Sequence, residues 1–255
     1  MPSPPKTDGL SLATLLRGQS TSLPDRMLVI NYSRMPVPGR EVDVVPHKEN
    51  AAVLWNRWRL LENRRLYDLA TDPLQERDVA ADHPDVLRRM QSHLQAWWDG
   101  VEDRVNEPQR MILGDDAENP LMLTACEWWD VFIDQQAQVR NGEQKIGVWH
   151  LAVAKAGEYE IELRRWPREA DLPLRAAAPA ATLADGQLPE GVSLPIASAR
   201  LTIGGQERLA ELAPDARFAT FRVHLDAGPA RLETAFRDAS GMPLLGAYYA
   251  YVRRL

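Results

Sequence analysis

Cysteine is almost missing from the sequence: Cys126 is the only one in 255 residues. A single cysteine excludes an internal disulfide and any metal site built from several thiolates. No apolar run approaches the roughly 20 residues that a membrane-spanning helix needs, so we expect no membrane span. Residues 1–6, MPSPPK, lack the apolar centre of a secretory signal. We expect either a cytoplasmic protein or a chain whose natural N-terminus is missing, and the motifs below favour the second.

Concentrated positive charge is also lacking. The net charge is −6, and basic residues form only short pairs. These pairs include Arg64-Arg65, Arg88-Arg89, Arg164-Arg165 and Arg253-Arg254. Because a nucleic-acid-binding surface needs a basic patch, we expect no nucleic-acid partner. The pairs are interpreted as solvated helix or strand faces.

Metal-binding patterns are lacking as well. His83, His93, His150 and His224 are scattered, and no two of them have the His-x-x-x-His spacing of a helical metal site. Residues 115–119 carry four oxygen-bearing side chains, but without the alternating spacing and the turn glycine of a calcium loop. We interpret this segment as a solvated linker and predict no metal site in the chain.

The composition is that of an ordered globular protein, with 45% apolar and 26% charged residues. In a first domain, residues 1–105, short apolar stretches predict strands at 27–32, 51–55, 58–61 and 66–69. Ahead of them, residues 11–16 predict a short helix. A longer helix begins near Pro84 and ends at Gly100, with one apolar face. That face consists of Val86, Leu87, Met90, Leu94, Trp97 and Trp98. The predicted class is α+β, a small antiparallel sheet with a packed helix.

The pattern changes to alternation in a second domain, residues 110–255. Strands are predicted at 121–124, 146–153, 158–163, 200–203, 219–225, 230–236 and 246–252. At least seven short strands without a convincing helix are typical of an antiparallel β-sandwich. Residues 101–119 are interpreted as a polar linker. Residues 170–197, rich in alanine and proline, are interpreted as a long excursion between strands.

Two segments of the first domain carry a family resemblance. The first reads Asp8-Gly9-Leu10-Ser11-Leu12 and then Leu15-Leu16-Arg17-Gly18. The second contains Trp58-Arg59-Leu60-Leu61, Arg65-Leu66-Tyr67-Asp68-Leu69, Asp72-Pro73, Glu76-Arg77-Asp78-Val79-Ala80, His83-Pro84 and Trp97-Trp98. In this order they resemble the C-terminal region of bacterial arylsulfatase-type sulfatases, although Arg65 stands where the pattern usually has Glu. Residues 163–169 and 246–249 resemble the β-rich tail of some of these enzymes.

The resemblance implies a parent enzyme that hydrolyses an aryl sulfate or a sulfated carbohydrate. In that family a formylglycine, made within a C/S-x-P-x-R motif, is the nucleophile, and a calcium ion polarises the sulfate. Cys126 is followed by Glu127-Trp128-Trp129 and lacks that motif. We therefore expect no catalytic residue and no cofactor in this chain, and a missing N-terminal sulfatase catalytic domain as its partner. The family is often periplasmic or secreted.

Within the chain, His47 and Lys48 are the best candidates for substrate binding. They lie on a loop before the second predicted strand, and loops at a sheet edge can reach a neighbouring active site. An exposed turn without function is the competing interpretation. Cys126 is interpreted as a small buried hydrophobic residue rather than a nucleophile.

A second hypothesis is a free-standing β-sandwich module that binds sulfated or acidic glycans. Its candidates are Trp128, Trp129, Trp149, Trp166 and the tyrosines at 248–251 as sugar-stacking rings, with Arg164-Arg165 for anions. The competing interpretation places the aromatic residues in the core and the arginines in solvent. A third hypothesis is a folding remnant that is stable only when docked, with residues 11–16 and 27–32 forming an exposed apolar patch.

Overall fold

The computed structural model of the protein describes residues 9–31, 46–129, 131, 133–184 and 186–255. The chain divides into two compact units, Met1–Asn106 and Glu107–Leu255. Over these described ranges the structure is mostly β, with three α-helices, and it is thus less helical than the predicted α+β class. No helix in the described part of the chain is long and apolar enough to cross a membrane.

Unit 1 contains a four-stranded antiparallel sheet with the order β1-β2-β3-β4. Its strands are β1 Leu28–Ile30, β2 Ala52–Trp55, β3 Trp58–Leu61 and β4 Arg65–Asp68. The predicted antiparallel sheet is confirmed, with shifts of one or two residues at its ends; position 32, the predicted end of β1, lies outside the described residues. The hairpins are tight because Asn56, Glu62 and Asn63 adopt positive φ, a conformation that asparagine tolerates well.

The helices of unit 1 differ in how much they bury. Helix α1, Ala13–Leu16, buries no side chain. Helix α2, Pro84–Asp99, begins at the predicted proline. Its residues Met90 and Leu94 are fully buried in one cluster with Val53 and Leu60 of the sheet. The apolar stripe of α2 therefore forms the core of this unit together with one face of the sheet.

Two sheets of unit 2 enclose one hydrophobic core, and β9 and β10 form a separate two-stranded sheet. The first sheet has the order β12-β11-β14-β7-β5, and β15 also pairs with β14; the second has the order β13-β8-β16-β6. The strands are β5 Met111–Leu113, β6 Leu121–Thr124, β7 Val148–Val153, β8 Gly157–Arg164, β9 Ala181–Leu183, β10 Gly186–Leu188, β11 Ser198–Ile203, β12 Gln206–Glu211, β13 Ala219–Leu225, β14 Gly228–Arg237, β15 Pro243–Leu245 and β16 Tyr249–Arg254. Along β13 burial alternates at every residue, as the sequence pattern predicts for a strand with one face in the core.

Three details of unit 2 correct the predictions. The segment interpreted as a linker contains β5, which pairs in parallel with β7; three residues are too few to give a periodic signal. A short helix, α3 Gln136–Asn141, was not predicted. The long excursion contains the hairpin formed by β9 and β10.

Backbone carbonyl groups of the excursion are bound by arginines. The fully buried Arg165 donates to the carbonyl oxygens of Ala176 at 3.3 Å and Val192 at 2.8 Å. Arg140 donates to those of Pro179 and Pro189, each at 2.8 Å. The interpretation of residues 164–165 as solvent-facing was therefore wrong, since the carbonyl groups of the excursion take the place of water around the guanidinium.

Candidate functional site

The outer face of the six-stranded sheet carries the candidate site. On β7 the side chains of Trp149, Leu151 and Val153 point into the core, so His150 lies on the outer face. On β14 the buried Leu232 belongs to the core, and its neighbour Arg231 is therefore also outward. This alternation is the period of two that every strand imposes on its side chains.

Strand pairing places three nitrogen-bearing side chains in a row across this face. His150 on β7 is the register partner of Arg231 on β14. On the other side of β7, Met111 of β5 pairs with Leu151, so the preceding residue, Arg110, is level with His150. Neighbouring strands lie about 4.8 Å apart. Arg110 and Arg231 therefore flank His150 on a line perpendicular to the strands.

The same three side chains line an open groove of about 740 Å³. Its other lining residues include Pro108, Val148, Thr202, Pro229 and Glu233. At one end lie Gly204 and Gly205, the two residues of the β11–β12 turn, both with positive φ. Glycine suits this turn because it adopts positive φ without steric cost. The absence of side chains there also leaves that end of the groove open.

An exposed aromatic ring lies beside the row. The ring centroid of Trp129 is 5.7 Å from that of His150, in an edge-on arrangement. Trp129 is 42% exposed, and its backbone N–H donates to the carbonyl oxygen of Val148 at 3.0 Å. The preceding residue, Trp128, is buried among Trp149 and Tyr248. A buried ring thus fixes the backbone from which the exposed ring projects.

The charges of the groove are unevenly matched. Glu233 accepts a hydrogen bond from Arg200 at 2.7 Å, and Arg200 also lies 3.6 Å from Glu207. Arg110 and Arg231, in contrast, make no hydrogen bond or ion pair with any residue in the described ranges. Two guanidinium groups consequently face an open groove with their donors available.

The outer face of the second sheet is different, because its charges neutralise one another. Glu160 pairs with both Arg222 and Arg253. Glu162 pairs with Arg164 and Arg168. Partial burial by itself would raise the pKa of Glu162, but the hydrogen bonds from these two arginines outweigh it and lower that pKa. Paired in this way, the arginines named here have fewer donors to offer a ligand.

The structure places His47 and Lys48 on the surface of unit 1, where His47 directly precedes the short 3-10 turn Lys48–Asn50. The Nζ of Lys48 donates to Oε1 of Gln95 on α2 at 2.7 Å, and the carbonyl oxygen of His47 accepts from Asn31 at 2.9 Å. This loop is therefore hydrogen-bonded on both sides. The role of these two residues in substrate binding stays a prediction.

The other residues predicted as candidates differ in whether they are buried or exposed. Trp128, Trp149, Trp166 and Tyr248 are buried and belong to the core, so Trp129 is the indole of the predicted stacking set that is exposed. Cys126 is exposed, which contradicts its interpretation as a buried residue; its Sγ lies 3.3 Å from the carbonyl oxygen of Ile133. In the acidic segment, Asp116 pairs with Lys155 and Arg254, so a carboxylate there is neutralised by protein cations.

Sequence reasoning missed Arg110, His150 and Arg231 as a group. The alternation at 230–236 was sufficient to point Arg231 outward, but no sequence signal connected the three positions. The strand pairing that joins them depends on β5, which was itself interpreted as linker.

No protein-family model and no curated protein sequence matches the chain. Three solved structures resemble parts of it. A ruminal GH26 endo-β-1,4-mannanase has 11% identity and a TM-score of 0.28, over 53% of this chain and 26% of its own. The CBM35 of Abf62 from Cellvibrio japonicus has 18% identity and a TM-score of 0.31, over 52% of this chain and 91% of its own. A cycloisomaltooligosaccharide glucanotransferase from Paenibacillus sp., complexed with cycloisomaltoheptaose, has 12% identity and a TM-score of 0.28, over 63% of this chain and 22% of its own. The match thus spans about a quarter of each enzyme, and at these values the likenesses assign no function.

Proposed function

We propose that unit 2 is a non-catalytic module that binds an acidic or sulfated glycan on the outer face of its six-stranded sheet. The observation that carries this proposal is the pair of guanidinium groups, Arg110 and Arg231, that face one groove without a partner among the described residues. Arginine binds carboxylates and sulfates through two parallel N–H donors. An open groove is also the shape that an extended polymer needs.

The neighbouring aromatic ring supports a carbohydrate rather than a simple anion. Trp129 offers a flat apolar surface with a polar edge, which suits the apolar face of a sugar ring. Its position is fixed by the buried Trp128 and by the hydrogen bond to Val148. A ligand that stacks on Trp129 can therefore extend over His150 toward the arginines.

We expect the purified chain to be retained on heparin, used here as a sulfated-glycan probe, and to bind it in calorimetry. Replacing both arginines, Arg110→Gln with Arg231→Gln, removes two charge-assisted contacts worth roughly 1.5–3 kcal/mol each. Affinity should therefore fall by about a hundredfold or more, and Trp129→Ala should weaken binding about fivefold through lost stacking.

The control is Arg222→Gln, which removes one arginine charge from the outer face of the other sheet. The Arg222 side chain is 71% exposed and already pairs with Glu160, so its loss should leave affinity unchanged. If Arg222→Gln weakens binding as much as the groove variant, the interaction is diffuse and the proposed site is wrong.

A second candidate function concerns unit 1, which we propose to be the C-terminal part of an arylsulfatase-type sulfatase. The observation that favours it is a set of large apolar side chains exposed within residues 10–30. They are Leu10, Leu12, Leu16, Leu23, Leu28 and Ile30. Leu16 is 81% and Ile30 53% exposed, and such a concentration of apolar surface is typical of a covered interface. A sulfatase catalytic domain is the partner that the sequence resemblance implies.

We expect this chain to co-purify with the catalytic domain of an arylsulfatase-type sulfatase expressed as a separate polypeptide. Leu16→Glu with Ile30→Glu should abolish the complex, because two charges would be buried without partners. Leu74→Glu is the control, since Leu74 is an equally exposed apolar residue of unit 1 outside this set. A chain that stays apart from that domain and runs as a monomer would contradict the proposal.

A further inference from the structure

We infer that the groove binds the inner part of a glycan chain whose anionic groups repeat along its length, rather than a chain end or a single sugar. This inference rests on the proposed glycan-binding function and narrows it to polymers that are held along their length. It depends on the direction in which the groove runs, on its two ends and on the side chains spaced along it.

The floor of the groove crosses four neighbouring strands, in the order β11-β14-β7-β5. Arg231 is in register with His150, and Arg110 is level with His150 on the other side of β7. The register of β11 against β14 places Gly204, which follows β11, level with Arg231. All four of these residues line the groove. Their row extends over three strand spacings, or about 14 Å.

The groove is longer across the strands than along them. A second lining row, formed by Thr202, Glu233 and Val148, is in register on β11, β14 and β7. It lies two residues from the first row, or about 7 Å along the strands. On the opposite side of the first row, β14 is the only strand whose described residues line the groove, through Pro229 and Ala230. A chain that fills the groove therefore runs across the strands.

The two ends of the row suit a chain that continues beyond them. At the β11–β12 turn, a Cβ atom on Gly205 would meet nothing within 4 Å, so a ligand can pass the turn. Trp129 lies at the other end, because its N–H donates to Val148 on the side of β7 that β14 does not occupy. Its exposed ring offers a stacking surface there. A site for a chain end would instead be closed on one side.

The features of the groove are spaced too widely for one sugar unit, since a pyranose ring spans roughly one strand spacing, about 5 Å. Trp129 and Arg231 lie on opposite sides of β7, so a ring stacked on Trp129 leaves the side of Arg231 to a following unit. Arg110 and Arg231 are two strand spacings apart, or about 10 Å between backbone positions. The two arginines therefore contact different units, and the ligand carries anionic groups on more than one of them.

The first test counts the protein chains that bind one heparin molecule, in calorimetry at about 150 mM salt. Two heparin fractions are compared, one twice as long as the other and both much longer than the groove. We expect the number of bound chains per molecule to double with length, because every inner segment is a site. One bound chain per molecule in both fractions would indicate a chain end. That result would overturn the inference and leave the proposed glycan binding intact.

The second test measures affinity for short heparin fragments. We expect a rise of about tenfold from the disaccharide to the tetrasaccharide. From the tetrasaccharide to the hexasaccharide the rise should be less than about twofold, because the groove of roughly three units is then filled. Trp129→Ala should reduce the first rise to about twofold, since one of the spaced contacts is lost. Arg222→Gln, outside the groove, should keep the native dependence on length.

Equal affinity for the disaccharide and the tetrasaccharide would contradict a site that spans several units. Affinity that keeps rising steeply beyond the hexasaccharide would show a diffuse attraction of charge, and an unchanged rise in Trp129→Ala would show that the chain does not reach this ring. Either result would also overturn the inference. Failure of the native chain to bind any heparin fraction would overturn the glycan-binding function itself.

Discussion

Replacing Arg165 with alanine is expected to lower the free energy of unfolding of unit 2 by about 4 kcal/mol. The side chain is fully buried and follows directly after β8. Its guanidinium donates to the carbonyl oxygens of Leu174, Ala176 and Val192. Alanine would leave the carbonyl oxygens of Leu174 and Val192 unpaired, at a cost of about 1–3 kcal/mol each where water does not replace the donor. The carbonyl oxygen of Ala176 would keep the hydrogen bond from the indole N–H of Trp166 at 3.2 Å.

The charge of Arg165 makes the effect larger than that of a neutral donor. Burial lowers its pKa to about 10, so the group is still a cation at neutral pH. It lies 4.5 Å from the centre of the Trp166 ring, and a cation over an aromatic face is attracted to it. These contacts stabilise an ion that has no carboxylate partner among the residues that the structure describes. The excursion supplies most of the contacts.

Urea unfolding followed by tryptophan fluorescence measures the change. The control is Arg222→Ala on the exposed face of the second sheet, which should stay within about 0.5 kcal/mol of the native chain. Arg165→Met keeps much of the side-chain volume without the donors, and we expect an intermediate loss. A change below about 1 kcal/mol in Arg165→Ala would mean that the three carbonyl groups are satisfied without the arginine.

Gly147→Ala is expected to cost about 3 kcal/mol and to weaken glycan binding as well. A Cβ atom at position 147 would lie closer than 3.0 Å to the ring of Trp128. At the far edge of the same indole, a Cβ at Gly246 would lie 2.9 Å from Cζ2 of Trp128. Trp128 is therefore held between two glycines, and the added methyl group must displace the ring or the backbone of β7.

The displacement should extend to the site because Trp129 is the next residue. We expect a changed near-ultraviolet circular dichroism spectrum, from the packing of Trp128 against Trp149 and Tyr248, and at least a fivefold loss of heparin affinity. Gly186→Ala is the matched control, since nothing lies within 4 Å of a Cβ there. Native stability and a native spectrum in Gly147→Ala would show that the ring is not confined.

Arg165→Ala and Gly147→Ala are both expected to affect binding because buried residues support the site. Trp129 and the arginine row depend on buried residues that contact no ligand, with Trp128 fixing the stacking ring and β7 carrying His150. Weakening the core should therefore reduce affinity, although no ligand contact has been removed. The heparin affinity of Arg165→Ala, measured where the variant is folded, tests this indirect effect of the core on binding. Arg165 does not line the groove, so a loss of affinity in this variant cannot come from a lost contact with the ligand.

Most of the secondary structure followed from the sequence, because a strand or helix with one buried face repeats apolar residues at a fixed period. Residues 219–225 alternate in sequence and alternate in burial. Pro84 begins α2 as predicted, since proline suits the first turn of a helix. The absence of a C/S-x-P-x-R motif around Cys126 was equally a property of the sequence alone.

The tertiary structure alone decided the site and the surroundings of the arginines. Trp128 and Trp129 are adjacent in an irregular segment, where no period assigns one ring to the core and the other to solvent. The sequence predicted that Arg164 and Arg165 form a charged strand end facing solvent. In the structure, carbonyl groups from the chain that follows accept hydrogen bonds from Arg165. Arg110, His150 and Arg231 are far apart in the sequence, and only the pairing of three strands brings them into one row. Contacts of this kind join distant parts of the chain, and local periodicity carries no information about which strands become neighbours.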